Sequence, residues 1–225
     1  MEEAPSDGPL NITAQDCINL LRHIRDASFA TVDETGAPQI RIIDVMLAEP
    51  GAVIFCTARG KNFYRQLIED GRVAVTGLTR DFKMVRFQGR ARRLPDAEQH
   101  AWIDKIFDNN PSMNNVYPGD ARYVLEAFAL GNGEIELFDL GVSPIDRHSF
   151  TLGDAVPAPR GFQITDACIG CGTCQRVCPQ RCVVEAEPGS TDASSAPYRI
   201  DQDHCLHCGL CAENCPVHAI ERRDA

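Results

Sequence analysis

Eight of the chain's eleven cysteines stand in two runs of one spacing near its C-terminal end. The first is Cys168, Cys171, Cys174 and Cys178, followed by Pro179; the second is Cys205, Cys208, Cys211 and Cys215, followed by Pro216. Thiolate is a soft donor, and C-x-x-C-x-x-C-x-x-x-C-P is the spacing by which a short loop delivers three sulfurs to one 4Fe-4S cube while the fourth reaches another cube. The crossed sets are then Cys168, Cys171, Cys174 and Cys215 for one cluster, and Cys205, Cys208, Cys211 and Cys178 for the other. Gly170, Gly172 and Gly209 keep side-chain bulk away where the backbone curls past inorganic sulfide. Paired C-x-x-C motifs also hold zinc. A fourth cysteine at a fixed gap, with proline after it, favours the cubes, whose chemistry is one-electron transfer.

On these two runs, residues 161–225 resemble the bacterial two-cluster ferredoxins. Cys182 falls where the second run has Ala219, so it is an extra thiol and reads as a small buried hydrophobe, as do Cys17 and Cys56. The stretch from Glu185 to Tyr198, rich in Pro, Ser, Asp and Ala, reads as an exposed loop inserted between the runs. His204 and His207 flank a ligand and read as packed or solvated, with tuning of the cluster by hydrogen bonding as the alternative.

A length of 225 residues leaves room for one medium domain ahead of such a tail. Iron-sulfur clusters are assembled inside cells, Met1 to Pro9 is acidic without an apolar run, and no stretch approaches the ~20 apolar residues that span a bilayer. A soluble, cytoplasmic protein with no membrane partner is expected. A formal charge of -10 argues against nucleic acid, which demands basic surface, and suits a redox partner protein with a positive face.

Ahead of the cysteines the pattern reads α+β. Thr13 to Asp26 is an amphipathic helix capped by Thr13, with Cys17, Leu20, Leu21 and Ile24 on one face. Strands are expected at Ser28 to Val32 and Gln39 to Met46, joined by a turn over Asp33 to Pro38, and at Val53 to Thr57. A helix over Lys61 to Glu69 precedes strands at Val73 to Leu78 and Lys83 to Leu94, then a helix from Asp96 to Phe107. A final hairpin is expected, Tyr123 to Leu130 and Glu134 to Leu140, turning at Gly131-Asn132-Gly133. Many short antiparallel strands with few helices predict a small barrel.

Four stretches carry a second resemblance: Phe29-Ala30-Thr31-Val32-Asp33, Arg41-Ile42-Ile43, Phe55 to Tyr64, and Arg86 to Ala91. In their order and spacing they are similar to the pyridoxamine 5'-phosphate oxidase-like flavoproteins, over residues 10 to 142. The resemblance implies a split β-barrel binding FMN at the interface of a homodimer. It implies that Arg41, Thr57, Arg59 and Lys61 hold the phosphate and ribityl chain, with Ile42 and Ile43 beside the ring. A phosphate dianion needs cations or backbone donors, and a loop entering a helix supplies both. One-electron clusters also need an acceptor, and flavin couples one- to two-electron chemistry. The family's substrate-recognising arginine and histidine on a last barrel strand have no counterpart here, so oxidation of pyridoxamine phosphate is not expected.

Three segments follow: residues 1–142 as an FMN-binding split barrel, 143–160 as a Pro-rich linker, and 161–225 as the two-cluster domain. The expected function is an iron-sulfur flavoprotein oxidoreductase that passes electrons from an external donor through two 4Fe-4S clusters to FMN and on to a small organic acceptor. The alternative is an electron carrier without a substrate of its own. Tyr117, Tyr123 and His100 are available as proton donors but read as packed or exposed, so no catalytic residue is named.

Overall fold

The structure, a computed structural model, describes residues 12–186 and 195–223. Met1 to Pro9 and residues 187–194 of the inserted loop lie outside the described residues.

Helix α1 (Ala14–Ile24) begins where Thr13 ends an extended segment: Thr13 Oγ1 accepts from the Asp16 N–H, and Asp16 Oδ2 accepts from the Thr13 N–H. Cys17, Ile18 and Leu21 form its buried face. Strands β1 (Asp26–Val32) and β2 (Pro38–Asp44) make the expected hairpin. Its turn is fixed by Asp33, whose Oδ1 accepts from the N–H groups of Thr35 and Ala37. A short β3 (Leu47–Glu49) leads into β4 (Ala52–Ala58), then α2 (Asn62–Glu69), β5 (Arg72–Leu78), β6 (Lys83–Arg93) and α3 (Gln99–Asn109).

The expected last hairpin is instead one continuous strand, β7 (Leu125–Asp139). Along it β4 pairs with Leu125 to Leu130, and a further strand, β8 (Asp146–Leu152), pairs with Gly133 to Asp139. The glycines that resemble a turn are where β7 exchanges one neighbour for the other. The close approach to β6 also needs Gly133: a Cβ on it would lie 2.3 Å from Gln88 O, and one on its partner Gly89 2.3 Å from Asn132 O. Because β8 joins the barrel sheet, residues 146–152 of the 143–160 segment extend the barrel.

The sheet runs β2-β1-β5-β6-β7-β4-β3, antiparallel, with β8 beside β7. Its two ends are consecutive in sequence, so Val45 and Met46 close the curl, donating to Arg25 O and Ile54 O. The expected split barrel is therefore present. Strand β4 is buried on both faces: Val53 and Phe55 face the barrel interior, whereas Ile54, Cys56 and Ala58 face α3. Phe29, Phe55, Phe63 and Phe128 fill the interior with ring centroids 5.0–6.2 Å apart.

Beyond the barrel, β9 (Phe162–Ile164) pairs with β12 (Ile220–Arg222), and β10 (Val183–Glu185) pairs with β11 (Tyr198–Ile200). Between them lie α4 (Thr173–Val177) and α5 (Leu210–Glu213), each entered through a left-handed glycine, Gly172 at φ 68° and Gly209 at φ 82°. The two cysteine runs thus take the same local form twice.

Candidate redox centres

The sulfurs gather around two cavities. One is lined by Cys168, Cys171, Cys174 and Cys215, the other by Cys178, Cys205, Cys208 and Cys211. These are the crossed sets that the spacing predicts, and the donor set fits a pair of 4Fe-4S cubes. The first turns of α4 and α5 carry Cys174 and Cys211 inward, both buried, whereas Cys171 and Cys208 are exposed. Backbone donors already aim at cysteine sulfur: the His207 N–H lies 3.3 Å from Cys205 Sγ and the Ala219 N–H 3.2 Å from Cys215 Sγ. Burial pushes the Cys211 thiol up to about 11. Cys205 goes the other way, below the ordinary thiol range, because the Cys182 thiol donates to it.

The second set is the one against the barrel. Ile145, just before β8, donates its N–H to Gln180 Oε1 at 2.9 Å, and its carbonyl meets His204 Nδ1 at 2.8 Å. Gln180 stands two residues after Cys178 and His204 one before Cys205, so the barrel grips both loops of that set. His204 is thus an anchor, and the His207 ring is half-buried, with burial lowering its pKa to about 4. A cavity of about 680 Å³ adjoins this junction, lined by Glu134, Glu136, Arg147, Arg160, Gln202 and His207. Arg147 pairs with Glu136 at 3.0 Å, and Arg160 pairs with Glu134.

In the barrel, the residues proposed for a flavin fall into two groups. Arg41 lies along the inner side of α2, over the Phe63 ring at 4.6 Å, and donates to Thr31 Oγ1 at 2.5 Å and Gln66 Oε1 at 3.0 Å. It has no carboxylate partner among the described residues, so its half-buried charge is uncompensated. Lys61 caps α2 by backbone geometry, is exposed, and likewise pairs with no carboxylate among the described residues. Thr57 is 2% exposed, and its Oγ1 is a buried hydroxyl without a partner among the described residues, directly opposite Glu126 in the β4–β7 ladder.

Arg59 is committed elsewhere. It donates to Tyr123 O at 2.7 Å and stands 3.7 Å from Glu126. Glu126 is buried and also accepts from Arg93 Nε and, at 2.7 Å, from Tyr64 Oη. The Arg93 contact, foremost, holds its carboxyl below the usual range. Sequence reasoning missed Glu126, although a lone carboxylate in the apolar run Leu125 to Leu130 marks it. Ile42 and Ile43 point to opposite faces of β2: Ile42 is 61% exposed, whereas Ile43 packs on the barrel core. Strand β2 pairs only with β1, so its outer backbone edge is open to a ligand. Tyr123 donates to Asp104 and stacks on His100 at 4.1 Å. Cys17 and Cys56 are buried, as expected, and burial raises both thiols to about 12.

Residues 16–127 match the family described as pyridoxamine 5'-phosphate oxidase, and residues 167–219 match the 4Fe-4S dicluster domain. No curated protein matches the chain. Among solved structures, a nimc/nima family protein from Clostridium acetobutylicum is 16% identical with a TM-score of 0.49, over 59% of this chain and 89% of that one. A heme binding protein from Mycobacterium smegmatis is 16% identical with a TM-score of 0.49, over 63% and 59%. A pyridoxamine 5'-phosphate oxidase-related, FMN binding protein from Nostoc punctiforme is 15% identical with a TM-score of 0.42, over 61% and 85%.

Proposed function

Since the chain joins a pyridoxamine 5'-phosphate oxidase-type domain to a 4Fe-4S dicluster domain, we propose that it is an electron-transfer iron-sulfur flavoprotein. In this reading electrons arrive singly from a redox partner protein and pass through the two clusters to FMN on the barrel, for delivery to a small organic acceptor. The observation that carries it is the contact of Ile145 with Gln180 and His204, which holds one of the two cysteine sets against the barrel.

Bound FMN would couple one-electron delivery to two-electron reduction. The chain's own residues have separable tasks. The exposed Cys171 and Cys208 edges admit electrons from the partner. Arg41 retains N–H donors beyond those given to Phe29, Thr31 and Gln66, and with Lys61 it supplies positive charge for a phosphate. Thr57 Oγ1 is the hydroxyl left to bond the same ligand. Arg59, held by Glu126, orients the loop between β4 and α2. The exposed apolar residues of β2, Ile40 and Ile42, form a face on which a second copy would complete the flavin site as a homodimer.

The test is an anaerobic reductive titration followed by visible absorbance, with iron, sulfide and released flavin counted per chain. About eight irons and about one FMN, with cluster bleaching and flavin reduction both seen, are expected. A full iron complement with no flavin would end the flavin part of the reading and leave an electron-carrying tail on a barrel with a different ligand.

A further inference from the structure

The two cysteine sets differ by one sulfur. Four residues after Cys215, the last ligand of its run, stands Ala219, fully buried and lining the first cavity. Four residues after Cys178 stands Cys182, which lines the second cavity with Cys178, Cys205, Cys208 and Cys211. Five sulfurs therefore surround a site whose cube takes four. Cys182 is 4% exposed, so it is no surface thiol. Its Sγ lies 3.4 Å from Cys178 Sγ, and it is also the hydrogen-bond partner of Cys205. Cys182 does have apolar neighbours, packing in the tail's core with Val183 and Ile200, but packing is not its only contact. It touches two ligand sulfurs of a single set.

We propose that Cys182 is a second sulfur for the fourth coordination position of the cluster at Cys205, Cys208 and Cys211, able to replace Cys178 there. The exchange is balanced. The iron–Cys178 bond breaks as that thiolate takes up a proton, the Cys182 thiol releases one as it binds the same iron, and no electron changes hands. The sulfur need travel no further than the 3.4 Å that separates it from Cys178. Ala219 denies the first cluster any such reserve. The proposal rests on the reading of this tail as a two-cluster domain, which the iron content of the unmodified chain tests separately.

The experiment compares Cys178→Ala, Cys215→Ala and Cys178→Ala/Cys182→Ala in the full chain, by iron and sulfide content and by EPR of the reduced protein. Cys178→Ala should keep about eight irons, whereas Cys215→Ala and the double variant should each fall to about four or fewer. Equal loss in Cys178→Ala and Cys215→Ala would overturn the proposal. Should Cys178→Ala fail to accumulate, Cys178→Ser decides by spectroscopy. An EPR signal unchanged from the unmodified chain means that sulfur from Cys182 has taken the position, and an altered signal from an oxygen-ligated cube means that it has not. An unmodified chain with no iron would instead sink the cluster reading itself.

Discussion

The barrel and the tail are held together by different materials. Nineteen buried side chains form the barrel interior, and only Cys17 among them is a cysteine. In the tail, four of ten buried core side chains are cysteines: Cys174, Cys182, Cys205 and Cys211. Aromatic and aliphatic side chains bury apolar area whether or not a ligand is bound, whereas a thiol contributes little until it coordinates. A domain near 60 residues is close to the limit of what apolar burial alone can hold. The barrel should therefore be a fold that receives a cofactor, and the tail a fold that the cofactor makes.

The largest expected effect follows directly. Stripping iron with a chelator under mild oxidation should unfold residues 162–222 while the barrel keeps its own cooperative transition. Hydrogen exchange would show it: amides of β9 to β12 should lose protection, and those of β1, β5 and β6 should retain it. Protection surviving throughout the iron-free tail would erase the proposed contrast.

The reverse probe is next in size. Phe55 is fully buried and contacts Phe29, Phe63 and Phe128. Phe55→Ala should cost about 3–5 kcal/mol, as large-to-small changes in an aromatic core do. Urea unfolding followed by Trp102, the single tryptophan and part of the second barrel core, reads that loss. Cluster absorbance should stay intact below the barrel transition. If the clusters bleach together with it, the Ile145 junction makes the two regions one cooperative unit.

The same contrast explains what the sequence could reveal. The eight cysteines lie within two runs of eleven residues each, so spacing alone could propose Cys168 through Cys215 as cluster ligands. The barrel site is assembled from β1, β2, β4, α2 and β7, so topology rather than spacing brings Arg41 to Gln66 or Thr57 to Glu126. Resemblance pointed to Arg41, Thr57, Arg59 and Lys61, but only the ladder exposes Glu126 as the partner of Arg59. The glycines at 131 and 133 misled for a related reason: glycine marks close backbone approach as well as turns, and here Gly133 marks the approach to Gly89 and Gly131 the approach to Gly51 and Ala52. A one-dimensional pattern does not distinguish the two.

A third prediction separates the barrel's cations. A charge-assisted hydrogen bond is worth about 1.5–3 kcal/mol, so Arg41→Ala and Lys61→Ala should each weaken FMN binding about 10- to 100-fold. Arg59→Ala should weaken it less, since its charge already faces Glu126. Quenching of FMN fluorescence on titration measures all three. A loss at Arg59 as large as at Arg41 would mean that the ligand draws Arg59 away from Glu126, and the division between binding and positioning would fail.

The smallest expected effect concerns Glu126 and can be isolated by pH. Its carboxyl is held below the ordinary 4.5 chiefly by Arg93, so the folded state binds its proton less readily than the unfolded chain does. The stabilisation is therefore fully present above about pH 4.5 and fades as pH falls through the folded value. Glu126→Gln keeps the shape and removes the charge. At pH 7 it should lower the barrel's Tm by a few degrees, the shift that about 1 kcal/mol produces in a chain of this length. Once pH falls below the lowered folded value the two proteins should converge, because a protonated Glu126 offers Arg93 little more than an amide does. The tail has no described counterpart of this buried carboxylate with its cluster of cations, so cluster bleaching in acid should be the same in both proteins. A difference in Tm that persists unchanged at low pH would assign the role of Glu126 to packing in place of charge, and with it the positioning of Arg59.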